Sequence, residues 1–244
     1  MMQQTLDDAW FDATAQRLVA LREQYASAEP FPHVVLEDFW PSDFATALAV
    51  ELEAKPKSSD AWHHFVNRNE RKRATKPGRA LVGQSGTVRD ALRALNDDRL
   101  VAALGAVSST DDLVADESYL GGGVHRIERG GFLAVHVDFN RHPSTRQFRR
   151  LNLLVYMNRE WDEAWHGELE LWTRDRSRCA RRVFPHSNVA VLFDTARDSW
   201  HGHPTPLACP ASRARVSLAT YYYAPTSGAQ RRRPHSTRFM REQP

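Results

Sequence analysis

A chain of 244 residues with 41% apolar and 10% aromatic residues can bury a sizeable core, which excludes a disordered or fibrous class. No apolar run approaches the ~20 residues of a membrane span, and the opening MMQQTLDDAW lacks the basic and apolar regions of a signal peptide. The formal charge of +3 hides patterning: residues 1–60 carry 4 Lys/Arg against 11 Asp/Glu, residues 61–100 carry 9 against 4, and residues 226–244 carry 5 against 1. Two cysteines, Cys179 and Cys209, are too few for a disulfide framework and suit a reducing compartment, so a soluble cytoplasmic protein is expected.

Along the chain, Thr5 followed by Asp8 resembles a capping box, and Leu6, Trp10, Leu18, Leu21 and Tyr25 predict a helix to about residue 26. PFPHVVLEDFW reads as a short strand ended by Pro41, and SDFATALAVELEA as a second helix with Ser42 as its N-cap. HHFVNRNERKRATKPGR shows no periodicity and reads as a basic loop; two more short helices fill 86–106. From Gly121 short apolar or alternating runs follow one another between turn signals: GVHRIER, FLAVHVDF, RLNLLVYMN, GELELWT, RRVFP, NVAVLFDT, SWHGHP and RVSLATYYY. This predicts a mainly β fold of the jelly-roll or cupin-like type, a barrel closed around a pocket and carried by helices. Residues 1–120 form the helical support, 121–225 the barrel and 226–244 a basic tail, all within one domain.

Within the barrel, His136 and Asp138 share one face of a strand, and Val135, Val137 and Phe139 the other. A third metal ligand has to come from another strand, with His166, His201 and His203 as candidates. His166-Gly-Glu168 repeats the His-x-carboxylate spacing but follows a loop and reads as a turn. Of the two histidines in SWHGHP, His201 is tied into the preceding run, while Gly202 and Pro204 disturb the backbone around His203, which reads as structural. His136, Asp138 and His201 make a two-histidine, one-carboxylate set suited to a non-haem Fe(II) oxygenase, and a catalytic zinc could use the same residue types. On the last strand Arg215 and Ser217 share a face, and an arginine fork beside a hydroxyl suits a carboxylate. A metal opposite a carboxylate clamp points to a chelating keto acid.

These segments, in order from about Gly121 to Pro225, resemble the Fe(II)/2-oxoglutarate-dependent dioxygenases, in their prolyl-hydroxylase-like branch: GGGVHRIERGGFLAVHVDFN, LNLLVYMNREW, GELELW, SNVAVLFDT, SWHGHP and RVSLATYYY. The closing PHSTRFMR is similar to tails of bacterial members. The resemblance implies a double-stranded β-helix, with His136, Asp138 and His201 as iron ligands. It implies Arg215 as the clamp on the far carboxylate of 2-oxoglutarate, with Ser217 and Tyr156 as helpers; Arg213 is the alternative clamp. Relatives tend to show Gly-Gly before ELELW, where this chain has His166-Gly167, so that turn is expected to differ.

The implied activity is that of an Fe(II)- and 2-oxoglutarate-dependent hydroxylase, an oxidoreductase that uses O₂ and releases succinate and CO₂. Halogenating relatives carry a small residue in place of Asp138, so its presence points to hydroxylation, with desaturation and epoxidation left open. The substrate is expected to be a small molecule or a peptidyl residue. An anionic one is favoured by Arg146 and Arg149 in the NRHPSTRQFRR loop after Asp138, over which the basic 63–79 loop could fold as a lid. Two alternatives come from other classes: a cupin-type metal enzyme without 2-oxoglutarate, and a jelly roll whose basic loops bind nucleic acid. The second leaves the His, Asp and Arg set unexplained, and neither a nucleic acid nor a membrane is an expected partner.

Overall fold

The computed structural model describes residues 6–54, 60–82, 84, 86–195, 198–225 and 233–240. Thr5 and most of the basic tail, including Arg231, Arg232 and Arg241, lie outside these residues. The helices described are α1 (Asp8–Ala20), α2 (Arg22–Ser27), α3 (Ser42–Glu53), α4 (Gly86–Leu95) and α5 (Asp98–Ser108). Before residue 121 the strands are β1 (His33–Leu36), β2 (Trp62–Val66), β3 (Glu70–Thr75) and β4 (Val114–Ala115). Then follow β5 (Gly123–Glu128), β6 (Phe132–Val137), β7 (Phe148–Tyr156), β8 (Leu169–Trp172) and β9 (Cys179–Val183). The last four are β10 (Val189–Asp194), β11 (His201–His203), β12 (Ala214–Ala224) and β13 (Arg238–Phe239). No described helix is long and apolar enough to cross a membrane.

Two helix starts differ from expectation. Asp7 caps α1, its carboxylate accepting from the Trp10 N–H at 3.0 Å, because a carboxylate one turn ahead satisfies a free N-terminal donor. Ser42 is the first residue of α3, not its cap; Pro41 precedes it, and no side chain caps that end. The helix expected to about residue 26 is in two pieces, α1 and α2, meeting at Leu21.

The strands form one antiparallel sheet in the order β1-β10-β7-β12-β5-β3-β6-β11-β8-β9, with β2 beside β3, β4 beside β12 and β13 beside β6. It curls into a nearly closed jelly-roll barrel, the expected mainly β architecture. Strict alternation divides its two faces. On β12, Val216, Leu218 and Tyr222 join Leu48, Leu92, Leu95 and Leu104 of the helices in the main core. Ala219, Tyr221 and Tyr223 turn the other way and pack with Leu154 of β7. Each fully buried leucine contributes about 1.5–3 kcal/mol relative to exposure, so the helical layer clamps the outer face and leaves the inner face to the site. The Tyr222 hydroxyl ties the layers by donating to the Leu95 carbonyl at 2.6 Å.

The segment read as a basic loop is a hairpin. β2 and β3 pair from Trp62 with Thr75 to Val66 with Arg71, around a turn in which the Asn67 side chain accepts from the Asn69 and Glu70 N–H groups. β3 then wedges between β5 and β6, pairing Ala74 with His125 and Glu70 with Leu133. Its alternation escapes notice because most of its residues are polar on both faces. The tail also enters the sheet: Arg238 and Phe239 pair with Val137 and His136, beyond the point where β3 leaves β6.

Candidate metal centre

His136 near the end of β6 and His201 at the start of β11 are directly opposed across two antiparallel strands, with ring centroids 4.4 Å apart. Asp138 follows β6 by one residue. One ligand atom from each of the three lies within 4.8 Å of the others. The Asp138 carboxylate stands 3.5 Å from His136 Nε2 through Oδ1 and 3.4 Å from His201 Nε2 through Oδ2. Each imidazole is aimed by its own strand: Nδ1 of His136 lies 2.9 Å from the Ala134 carbonyl, and Nδ1 of His201 lies 2.9 Å from the Ser199 carbonyl. A carbonyl only accepts, so both Nδ1 atoms carry the hydrogen and both Nε2 lone pairs face the aspartate. Burial, and then the neighbouring His136, pull the His201 pKa down to about 3, which keeps that lone pair available.

Asp138 is held from behind by β7. Asn152 donates to its Oδ2 at 2.9 Å, the Arg149 guanidinium lies 3.3 Å from the same oxygen, and Arg149 Nε donates to Asn152 at 2.7 Å. Burial alone would push this carboxyl up; Arg149, with the two histidines, holds it well below the usual carboxylate range. Two aimed imidazole nitrogens and an ionised, oriented carboxylate therefore fit a divalent metal with open coordination positions.

A β-bulge sets this geometry. His201 pairs with His136 and His203 with Leu133, so two steps along β11 face three along β6. The extra residue lets Leu133 and His136 both line the interior, which simple alternation forbids. Gly202 lies against the bulge: a Cβ there would stand 2.8 Å from the Leu133 carbonyl oxygen and 2.9 Å from that of Ala134.

Beyond the metal ligands the same pocket is lined by Arg215, Ser217, His125, His203, Lys72 and Leu154, among others. Arg215 is 4% exposed, and no carboxylate pairs with it among the described residues. Its Nε donates to the Gly167 carbonyl at 2.6 Å and an Nη to the Tyr156 hydroxyl at 3.2 Å, which leaves the phenolic hydrogen free for another acceptor. Burial raises the Tyr156 pKa, Arg215 opposing, so that hydrogen is retained. Ser217, paired in register with Tyr156 on one side and His125 on the other, completes this end.

Several expectations are revised. Arg213 does not share the face of Arg215: it precedes β12, donates to the Arg159 carbonyl and lies over Trp165. Arg149 belongs to β7 and is buried on the rings of Tyr221 and Phe139, because the loop after Asp138 ends at Phe148. Arg146 stays exposed on that loop, so the two arginines do not act as a pair. His166 caps a short turn and is not one of the three residues brought together as a ligand set. His203 is not a satisfied structural histidine: it is 3% exposed, and neither ring nitrogen has a partner among the described residues. Asn152 was legible in principle, since it shares the inward face of β7 with Leu154 and Tyr156. Lys72 was hidden by the misread hairpin, whereas His125 lies on β5, a segment the sequence marks as a strand.

Residues 122–223 match the family model described as the 2OG-Fe(II) oxygenase superfamily. Among solved structures, the chain is similar to a prolyl-4-hydroxylase from Pseudomonas putida, at 20% identity and a TM-score of 0.58 over 85% of this chain and 98% of that one. A prolyl hydroxylase from Trichoplax adhaerens, in complex with a peptide fragment of hypoxia inducible factor, matches at 16% identity and 0.60 over 90% and 94%. HygX from Streptomyces hygroscopicus, with nickel, 2-oxoglutarate and hygromycin B bound, matches at 15% and 0.53 over 83% and 87%. At such identities these likenesses concern the fold. No curated protein matches the chain in sequence.

Proposed function

Because residues 122–223 match the family model of the 2OG-Fe(II) oxygenase superfamily, we propose that His136, Asp138 and His201 hold the iron and that the chain hydroxylates a C–H bond of its substrate. When bound, Fe(II) and 2-oxoglutarate supply, with O₂, an oxidation in which the keto acid becomes succinate and CO₂ and the substrate gains a hydroxyl. Arg215 grips the far carboxylate of 2-oxoglutarate, with the Tyr156 hydroxyl and Ser217 as further donors.

The observation that carries this reading is Arg215 itself. A buried guanidinium without a carboxylate partner calls for an anion, and it lines the same pocket as the three metal ligands. A ligand that chelates the metal at one end and meets Arg215 at the other is a keto dicarboxylate. The protein orients it between β12 and β11, keeps it from water inside the barrel, and holds Asp138 ionised through Arg149 and Asn152. We assign Arg149 to this support of Asp138 and leave Arg146, exposed on the loop after Asp138, as the arginine available to an anionic substrate.

The substrate class is a peptidyl residue or a small molecule. Similar structures were solved with both a peptide fragment and hygromycin B. The test is an anaerobic visible spectrum as Fe(II) and then 2-oxoglutarate are added to the full chain. A charge-transfer band that needs both additions, and that is lost in Asp138→Ala and weakened in Arg215→Ala, is the expected result. Iron binding without any band would remove 2-oxoglutarate from the reading.

A further inference from the structure

The polar heads that line the pocket differ in how far they are committed. Arg215 bonds Gly167 and Tyr156; the Lys72 amine stands 3.2 Å from the Glu70 carboxylate; His125 Nε2 lies 2.8 Å from the Gly121 carbonyl; Asn152 serves Arg149 and Asp138. His203 is 3% exposed and lines the same pocket, yet neither of its ring nitrogens has a partner among the described residues. Buried polar groups are ordinarily satisfied, and a side chain left without partners at a binding pocket marks where a ligand atom belongs.

Its place in the fold narrows what that atom is. His203 is two residues beyond His201 on β11 and faces inward like it, opposite Leu133 of β6. His201 and Gly202 pair with Leu171 and Glu170 of β8, so β11 carries His203 on in the direction of Gly167, whose carbonyl receives Arg215 Nε. His203 therefore sits toward the Arg215 end, beside any ligand that spans from the metal to that guanidinium. An imidazole has an N–H to donate whichever nitrogen carries it. Gly202, pressed on the bulge, fixes the backbone from which the ring projects.

We propose that His203 is a second donor to the far carboxylate of 2-oxoglutarate and thereby selects a dicarboxylate cosubstrate over a monocarboxylate one. This rests on the reading of Arg215 given above and adds a residue to it. His203 orients the keto acid; it does not touch the reacting C–H bond.

The experiment is anaerobic isothermal calorimetry on the Fe(II)-loaded full chain with two ligands: 2-oxoglutarate, and 2-oxopentanoate, which keeps the chelating end and lacks the far carboxylate. His203→Phe and His203→Leu remove the donor in different volumes, so a folding failure of one leaves the other, and His203→Gln keeps an N–H. Loss of one charge-assisted hydrogen bond weakens 2-oxoglutarate roughly 10- to 100-fold in the apolar variants. Binding of 2-oxopentanoate is expected to change less than about threefold, and His203→Gln to recover most of the affinity. Equal weakening of both ligands would show a packing role and overturn the inference, as would an unchanged affinity for 2-oxoglutarate. If the wild-type chain binds neither ligand, the reading of Arg215 fails first and takes this inference with it.

Discussion

Replacing Arg149 by methionine tests the buried ion pair behind Asp138. The guanidinium is 1% exposed, lies 3.4 Å from the Tyr221 ring centroid and stands 3.3 Å from Asp138, whose side chain is 15% exposed. Methionine fills the slot and keeps contact with the ring, so the change isolates the charge. Removing one partner of a buried ion pair strands the other and costs about 3–5 kcal/mol. Adding Asp138→Asn removes the stranded charge and should restore about 1–3 kcal/mol, a coupling that independent sites do not show. A divalent cation on His136, Asp138 and His201 supplies the missing positive charge, so metal should stabilise Arg149→Met more than it stabilises the wild type. Urea unfolding followed by tryptophan fluorescence, in EDTA and then with Fe(II) under anaerobic conditions, measures all of these. An Arg149→Met protein within 1 kcal/mol of wild type, on the scale just given, or a double variant no more stable than the single one, would refute the argument.

Two further predictions concern stability. His166 has φ 61° and ψ −157°, a region that only glycine occupies without strain, at a cost of about 1–3 kcal/mol for other residues. After the entropic penalty of glycine, about 0.5–1 kcal/mol, His166→Gly should still raise the melting temperature by a few degrees; a fall would show that the imidazole makes a compensating contact. For pH, His201 is pulled down to about 3 by burial and then by His136, and burial and then Arg215 hold His203 well below the usual histidine range. Both stay neutral in the fold and take up protons near pH 6.5 once unfolded. Stability is therefore full above about pH 7 and falls with pH below it, by about 1.4 kcal/mol per unit for each group, until the folded pKa is reached. Urea midpoints of the metal-free protein between pH 8 and pH 5 read this out, and a flat profile would contradict the burial of the two rings.

The strands after Gly121 were legible where they turn one apolar face to the helices: Leu151, Leu153 and Val155 on β7, and Val216, Leu218 and Tyr222 on β12, recur at a period of two. The same period placed Arg215 and Ser217 together on the inner face. It failed for β2, most of which is exposed, and for β3, where a polar pocket replaces an apolar core as the thing faced: Lys72 points inward and leaves no hydrophobic trace in the sequence. Arg149 was read as a loop residue because it is charged. Its burial depends on Asp138 and Asn152, and the Arg149–Asp138 partnership is set by the fold that joins β6 and β7, not by local spacing.

The bulge in β6 is the step at which periodicity could not have led to the site. His136 and Asp138 stand two apart and suggest an unbroken strand, on which Leu133 would face away from them. Had β6 been regular, pairing His201 with His136 would have set His203 opposite Ala134; the inserted residue moves it to Leu133 and lets Leu133, His136, His201 and His203 all turn inward. Only a residue without a side chain fits between the two histidines of β11 at that point, since a Cβ on Gly202 would also meet the Val135 Cα at 2.9 Å. The glycine that made His203 read as a structural histidine in the sequence is thus what allows it to be a pocket residue in the structure. Metal ligand and pocket histidine are spaced by the same local distortion, and a change that repairs the bulge would displace both.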